Sequence, residues 1–465
     1  TVHLDDFEKT EAIFFFGQNV GVSSPRMLHP LQEARKRGVP IVAFNPLRER
    51  GLVSFVNPQS PVEMLTPAET AISTQYLQVR IGGDIAAITG LCKWLVEQDD
   101  AAHAKGQARF VDAEFIARHT AGFEAFADFV RATPWEAIER ESGLARADLA
   151  QAAATFARAK SVLGIYGMGL TQHRKGVQAV QMVSNLLLLG GHIGKPGAGI
   201  CPVRGHSNVQ GQRTVGITEK PELAPLDRLA ELYHFEPPRG KGLNTVEACE
   251  GMLDGSVRGF VALGGNFLRA APDTERLEAA WRRLNLTVAV ATKLNRSHLV
   301  HGKAAWLLPC LGRIEIDAQA SGAQLVSVED STGFFHASRG VTPPAEASLR
   351  SEAAIVAGIA QATLAPNPHV PWQDWTGDYA LVRDAIERTW PDIFEGFNQR
   401  FMTPGGFSKP NAARQRQWKT PNGKANFKVP DGLNENPDLP DSGEATDDVL
   451  RLMTLRSDDQ FNTTI

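Results

Sequence analysis

The chain is short of several things, and each shortage removes a class of explanation. Of 465 residues only four are cysteine, Cys92, Cys201, Cys249 and Cys310, and no two stand as CxxC. Neither a zinc site nor a cysteine-held iron–sulfur cluster can therefore be read from this stretch. Scattered thiols in so long a chain fit a reducing compartment, so a cytoplasmic protein is expected, with the cysteines acting as small buried apolar groups. Basic residues are not in excess: 48 Lys and Arg face 52 Asp and Glu, for a net charge of −4. That argues against a general nucleic-acid binder. Long apolar runs are also missing. Stretches such as AIFFF at Ala12–Phe16 are far too short for a membrane span, and no secretory pattern opens the chain. Residue 1 is Thr, and the chain stops at FNTTI, just after a strand-like run at 449–455. Both ends read as cut, so a longer parent is expected.

What is present is ordinary in bulk and specific in pattern. An apolar content of 43% with 22% charged residues suits a globular protein. The length exceeds one hydrophobic core, so two or three domains are expected. The buried-strand pattern AIFFF is followed by a polar turn at Gly17–Ser24, a helix from Pro25 to Arg37, Gly38 as its cap, and a second strand at Pro40–Phe44. Strand, helix and strand in that order imply a parallel pair. A third strand is expected at Tyr76–Val79, then a Gly82-Gly83-Asp84 turn and a helix over Ile85–Gln98. The pattern recurs at Gly259–Leu263, Gly264-Gly265-Asn266, a helix over Asp273–Leu284, and a strand at Leu286–Val290 ending in Ala291-Thr292-Lys293. FFFGQN…LQEARKRGVPIVAFNP and VALGGN…LEAAWRRLNLTVAVATK thus form a weak internal repeat. The fold class expected is α/β, with two doubly wound, mostly parallel-sheet domains and a ligand crevice at the carboxyl ends of each set of strands. The boundaries expected are 1–165 and 166–365 for these domains, 366–433 for a helix and loop extension, and 434–465 for a linker and the start of a further domain.

The strand-end loops carry the chemistry. Glycine lets backbone N–H groups approach phosphate oxygens, and the helix that follows offers its positive end. Neither Gly-x-Asn loop continues as GxGxxG with a ribose-binding acid, and neither is GxxxxGK[ST]. Ordinary NAD binding is disfavoured and a P-loop is excluded. No GDG…N motif is present, which disfavours a thiamine-diphosphate enzyme. Asn45 and Arg48 could read the edge of a purine or ribose, or form an Asx turn beside a solvated Arg. Gly83 and Asp84 fit either a nucleotide loop or a plain helix start.

The segment Gly167–Gly211 is denser still. It runs from a strand at Val162–Tyr166 through GMGLTQH into an apolar helix and a loop carrying Arg204, His206, Ser207, Asn208 and Gln210. Such a loop suits a large polar cofactor. Arg204 suits an anionic substrate, and His206 can relay a proton near neutral pH. These two are the candidate catalytic residues, against the plainer alternative that both only hold loop shape.

Together GMGLTQH, VSNLLLLGGHIGKPGAG, PVRGHSNVQG, ATKLNRSHL, LPCLGRIEID and TLRSDDQFNTTI resemble the molybdopterin oxidoreductases of the DMSO reductase family, in the branch of formate dehydrogenase alpha subunits. The resemblance runs from about Ala12 to Ile465. It implies a molybdenum bis(molybdopterin guanine dinucleotide) cofactor. By motif match, Gly17, Asn19, Asn45, Arg48, Gly83 and Asp84 would serve one dinucleotide, and Gly265, Asn266, Thr292 and Lys293 the other. Met168, Gly169 and Gln172 would sit where the pterins meet near the metal. Arg204 would orient a small anion such as formate for two-electron oxidation to carbon dioxide, and electrons would pass to a partner. No residue of this chain is assigned as a metal ligand. The family's amino-terminal domain, which in many members carries a 4Fe-4S cluster, and its carboxyl-terminal pterin-covering domain have no counterpart here. His206 stands where typical formate dehydrogenases have Gln, and Asn45 where many have Asp. Those departures leave open a substrate-divergent or non-catalytic member, such as those tied to acid resistance, with this stretch acting as a cofactor-binding module.

Overall fold

The computed structural model describes residues 2–66, 68–204 and 208–435. The described residues divide into two compact units. The first takes residues up to Arg204 together with Pro410–Glu435, and the second runs from Asn208 to Lys409.

The first unit is built on a five-stranded, all-parallel sheet. Its strands are β1 (Ala12–Phe16), β2 (Ile41–Phe44), β3 (Gln75–Leu77), β4 (Val162–Tyr166) and β5 (Gly199–Pro202), in the order β3-β2-β1-β4-β5. Every residue of AIFFF is buried, because β1 is central and covered on both faces, the usual situation of a parallel strand. Phe14 and Phe16 point into a cluster with Phe44, Leu91, Leu95, Phe156 and Leu186. Ile13 and Phe15 point the other way, into a cluster with Leu31 and Ile41. Helix α1 (Leu28–Lys36) lies on the second face. Helices α2 (Asp84–Ala104) and α3 (Gly176–Leu189) lie on the first.

Residues 410–435 close this unit although they are distant in sequence. Ala425–Asn426 adds a parallel pair to Thr120–Ala121. The Asn185 side chain donates to the Lys428 carbonyl at 2.7 Å and accepts from the Lys428 N–H at 3.1 Å. Arg414 donates to the buried Asp6 carboxylate at 2.6 Å, and Arg414 and the backbone N–H groups of Gly197 and His3 hold that carboxyl below its usual range against the opposing effect of burial.

The second unit holds a three-stranded parallel sheet of β6 (Gly259–Leu263), β7 (Leu286–Ala291) and β8 (Ala304–Pro309), ordered β8-β7-β6. Helices α4 (Thr245–Asp254) and α5 (Thr274–Trp281) supply Met252, Leu277, Ala280 and Trp281, which pack against Phe260. Helix α6 (Glu352–Thr363) places Ile355 against Val290 and Cys310. An antiparallel sheet of Val326–Glu329, Phe334–Ser338 and Phe407–Ser408 carries an aromatic core of Phe335, Phe394, Phe397, Phe401 and Phe407.

The chain is therefore a mixed α/β protein with parallel sheets, as its pattern predicts. The units differ from the boundaries read in the sequence. Residues 166–204 belong to the first unit because β5 (Gly199–Pro202) pairs with β4 as the edge of its sheet and α3 packs into its core. The expected extension 366–433 is divided between the units at Lys409 and Pro410. The expected linker and further domain beyond Glu435 lie outside the described residues.

Candidate functional site

In the first unit the chain runs outward from β1 through β2 to β3, then returns to the other side of β1 as β4 and β5. The sheet order reverses between β1 and β4. In open α/β sheets a ligand crevice forms at such a reversal, outside the carboxyl ends of the strands. The loops leaving β1 and β4 meet there. Gly17 has a φ of +57°, and a side chain on it would come within 2.7 Å of the Leu170 backbone nitrogen. Gly169 donates its N–H to the Gly17 carbonyl at 3.0 Å. The Gln18 side chain lies against Gly167, where an added Cβ would overlap it. Gln18 is buried, and its Nε2 has no hydrogen-bond partner among the described residues. Buried polar atoms are ordinarily paired, so an exception calls for an explanation such as an ordered water, local strain or a ligand.

The other expected residues of this unit occupy the same edge. Asn19 caps the turn Val20–Ser23, accepting from the Val22 N–H at 3.3 Å. Asn45 is buried, and its Oδ1 accepts from the Leu47 N–H at 3.3 Å, the Asx turn that was the alternative reading. Arg48 is exposed in the same loop. Tyr76 pins that loop, donating to the Leu47 carbonyl at 2.6 Å and accepting from the Glu49 N–H at 2.9 Å. Burial pushes the Tyr76 hydroxyl up to about 12, so it stays a donor. Met168, Gly169 and Gln172 are exposed around the short helix Met168–Thr171. Arg204 follows β5 by two residues and is half-buried. Its charge acts on Tyr166 at the end of β4, opposing the upward push that burial gives the Tyr166 hydroxyl. His206 lies outside the described residues.

Gly83 and Asp84 behave differently. A Cβ on Gly83 would sit 2.5 Å from the Glu141 carbonyl oxygen and 3.0 Å from the Ser142 Cα. Close packing against protein already accounts for this glycine. Asp84 is buried at the start of α2, and its Oδ1 has no hydrogen-bond partner among the described residues.

In the second unit Gly265, Asn266, Thr292 and Lys293 come together at the carboxyl ends of the neighbouring parallel strands β6 and β7. Gly264 and Gly265 have φ of +71° and +78°, with open space where side chains would stand. The loops are tied by Asn295, which donates to the Gly265 carbonyl at 2.9 Å, and by Ser297, which donates to Asn266 Oδ1 at 2.6 Å. Thr292 and Lys293 are exposed. Sequence reasoning passed over Gln18, Tyr76, Asn295 and Ser297. The first lay within a quoted motif, and the NRSH run holding the last two was also visible. Among the described residues no group of three or more His, Cys, Asp and Glu side chains is arranged to hold a metal ion, and no helix is long and apolar enough to cross a membrane.

The sequence pattern described as "Molybdopterin oxidoreductase" matches residues 1–299. "Protein YdeP" of Escherichia coli strain K12 is 49% identical over 465 residues, covering all of this chain and 60% of that protein. "Formate dehydrogenase H" of the same strain is 26% identical over 297 residues, covering 61% of this chain and 37% of the other. Among solved structures, "Acetylene Hydratase from Pelobacter acetylenicus" superposes with a TM-score of 0.58 at 16% identity, covering 90% of this chain and 55% of that one. The chain thus spans about three-fifths of the length of the YdeP protein it matches from end to end. It belongs to the molybdopterin oxidoreductase family of formate dehydrogenase H and its relatives.

Proposed function

We propose that this chain forms the dinucleotide-binding part of a molybdenum oxidoreductase that uses bis(molybdopterin guanine dinucleotide) and oxidises formate, or a closely related small anion, by two electrons. The observation that carries the reading is the crevice at the reversal between β1 and β4, where backbones meet at Gly17 and Gly169 and the buried Gln18 Nε2 has no acceptor among the described residues. A large polar ligand would supply one. The open, positive-φ glycines Gly264 and Gly265 favour a second dinucleotide in the other unit, held by Gly265, Asn266, Thr292 and Lys293. In the first unit Gly17, Asn19, Asn45 and Arg48 would hold the first, with Met168, Gly169 and Gln172 towards the pterins, whereas Gly83 is taken up by packing against Glu141 and Ser142 and Asp84 is buried beside it.

When bound, the cofactor supplies the redox centre. The chain's own part is positioning and charge. The Arg204 guanidinium would pair with the substrate carboxylate in two parallel hydrogen bonds and fix its orientation. His206 would take or return the proton. A partner, or a 4Fe-4S cluster on a further domain, would accept the electrons. Protein made from the complete gene in molybdate-supplied cells should carry molybdenum and guanine nucleotide and should reduce a dye with formate. Folded protein free of both metal and nucleotide would overturn the cofactor assignment. The 465-residue chain alone should show no formate–dye turnover. A second reading, divergence to another substrate or to a non-catalytic role in acid resistance, is favoured by His206 in place of the expected Gln. Metal and nucleotide present with no formate turnover would select it.

A further inference from the structure

Two polar residues that make the loop after Arg204 look suited to a cofactor, Asn208 and Gln210, are engaged by a hairpin of the second unit. The hairpin is formed by the antiparallel strands Val326–Glu329 and Phe334–Ser338. Asn208 pairs with Glu329 in both directions. The Asn208 N–H donates to the Glu329 carbonyl at 3.1 Å, and Asn208 Oδ1 accepts from the Glu329 N–H at 3.0 Å. Gln210 Nε2 donates to the Asp330 carbonyl. The Glu329 carboxylate is buried, at 4% exposure, and accepts from the Thr214 hydroxyl at 2.6 Å. Lys409 Nζ donates to the same hydroxyl at 2.9 Å.

The local sequence suits this contact. Asn208 has φ +66°, a left-handed conformation that asparagine tolerates better than most residues. It stands just before the helix Val209–Thr214, yet its side chain makes no cap; the oxygen goes to Glu329 instead. A Cβ on Gly211 would overlap Asn208 Oδ1 and stand 3.2 Å from the Glu329 Cβ, so glycine lets the helix lie this close. The hairpin is itself held firmly. Asp330 Oδ1 accepts from the Thr332 and Phe334 N–H groups at 2.8 and 3.0 Å. The Lys409 N–H donates to the Gly333 carbonyl at 2.7 Å, and Phe335 packs with Phe394, Phe397 and Phe407.

We propose that Asn208 and Glu329 are positioning residues for the substrate. They tie the chain four residues beyond Arg204 to the hairpin, so that the candidate substrate residues are presented in one conformation before the anion arrives. The inference rests on the reading of Arg204 and His206 as substrate residues; Asn208 and Glu329 act through them and not on the anion. Loss of the tie lowers the fraction of molecules in the competent conformation, and the apparent KM rises as the inverse of that fraction. Saturating substrate gathers the competent form, so kcat holds. For one lost hydrogen bond the rise in KM is about tenfold.

The test uses protein from the complete gene, made in molybdate-supplied cells. Asn208→Gly keeps the left-handed backbone and removes only the acceptor. Its molybdenum and nucleotide content should match wild type, KM for formate should rise about tenfold, and kcat should change by less than about twofold. Glu329→Ala should do the same. Glu329→Gln keeps an oxygen for the Thr214 hydroxyl and should bring KM back to within about threefold of wild type. Deuterium exchange at the residue 329 amide should quicken in Asn208→Gly, while the β1 amides keep their protection. Loss of molybdenum or nucleotide in these variants would make the pair cofactor residues and overturn the proposal. An unchanged KM, a fall in kcat matching the rise in KM, or unaltered exchange at residue 329 would overturn it too. Wild-type protein that carries metal and nucleotide but turns over no formate refutes the substrate reading, and the tie then stands or falls on the exchange comparison. Should Asn208→Gly fail to fold, the contrast between Glu329→Ala and Glu329→Gln decides the matter.

Discussion

Replacing Gly17 by alanine tests whether the contact between the β1 and β4 loops matters energetically or is incidental. Two costs should add. The left-handed conformation, φ +57°, penalises any L side chain by about 1 kcal/mol. The new Cβ would also lie 2.7 Å from Leu170 N and 2.8 Å from Gly169 C. These are backbone atoms that cannot rotate away, so the loops must part, weakening the 3.0 Å Gly169-to-Gly17 hydrogen bond. Overpacking of this kind costs about 1–3 kcal/mol. Gly38→Ala is the control, because Gly38 has φ +84° but nothing within 4 Å of an added Cβ. It carries the conformational cost alone. Urea unfolding should place Gly17→Ala about 2–4 kcal/mol below wild type and Gly38→Ala only about 1 kcal/mol below. Nucleotide content after molybdate-supplied expression should fall for Gly17→Ala and stay unchanged for Gly38→Ala. Equal losses in the two variants, or full nucleotide content in Gly17→Ala, would refute the reasoning that this approach of backbones builds the crevice.

Other consequences can be measured independently. His192 is 3% exposed and packs edge-on against Phe156 at 4.9 Å, and burial, helped by the Lys195 charge, pushes it down to about 3. The unfolded chain takes up a proton below about pH 6.5 and the folded one does not, so stability falls by up to about 1.4 kcal/mol per pH unit as acid is added from 6.5 towards 3. His192→Leu should flatten that limb in urea titrations at pH 5 to 7; an unaltered slope would assign it elsewhere. Asp6→Ala strips Arg414 of its partner and leaves a guanidinium half-buried, at a cost of about 3 kcal/mol. Proteolysis should then cut within 410–435 first, and uniform cutting across the unit would count against that anchor. Asn266→Ala removes the acceptor for Ser297 and should destabilise the second unit by about 1 kcal/mol, with nucleotide loss as the second readout.

How much of this was legible in the sequence depended on how local the cause was. AIFFF reads as a doubly buried strand because five apolar residues in a row have no use on a half-exposed one. Gly38 reads as a helix end because its φ of +84° favours glycine. The strand-end loops followed from the alternation of strands and helices, so the described site residues other than Gly83 and Asp84 lie in loops that leave the carboxyl ends of parallel strands. Long-range causes left no periodic mark. Nothing in VLGIY says that it pairs with AIFFF rather than opening a new sheet, and the Gly-rich loop after it made a boundary at 165 look natural. Asp84 read as a nucleotide residue because GGD before a helix has that chemistry. Beside it Glu435 accepts from the N–H of the next residue, Ile85, 350 positions away, inside a stretch whose composition suggested only a linker. A carboxylate pair of that kind is invisible to motif and spacing, because its meaning comes wholly from burial. The same holds for Gln18: the letter is ordinary, and only the closed space around Gly167 turns its amide into a donor without an acceptor.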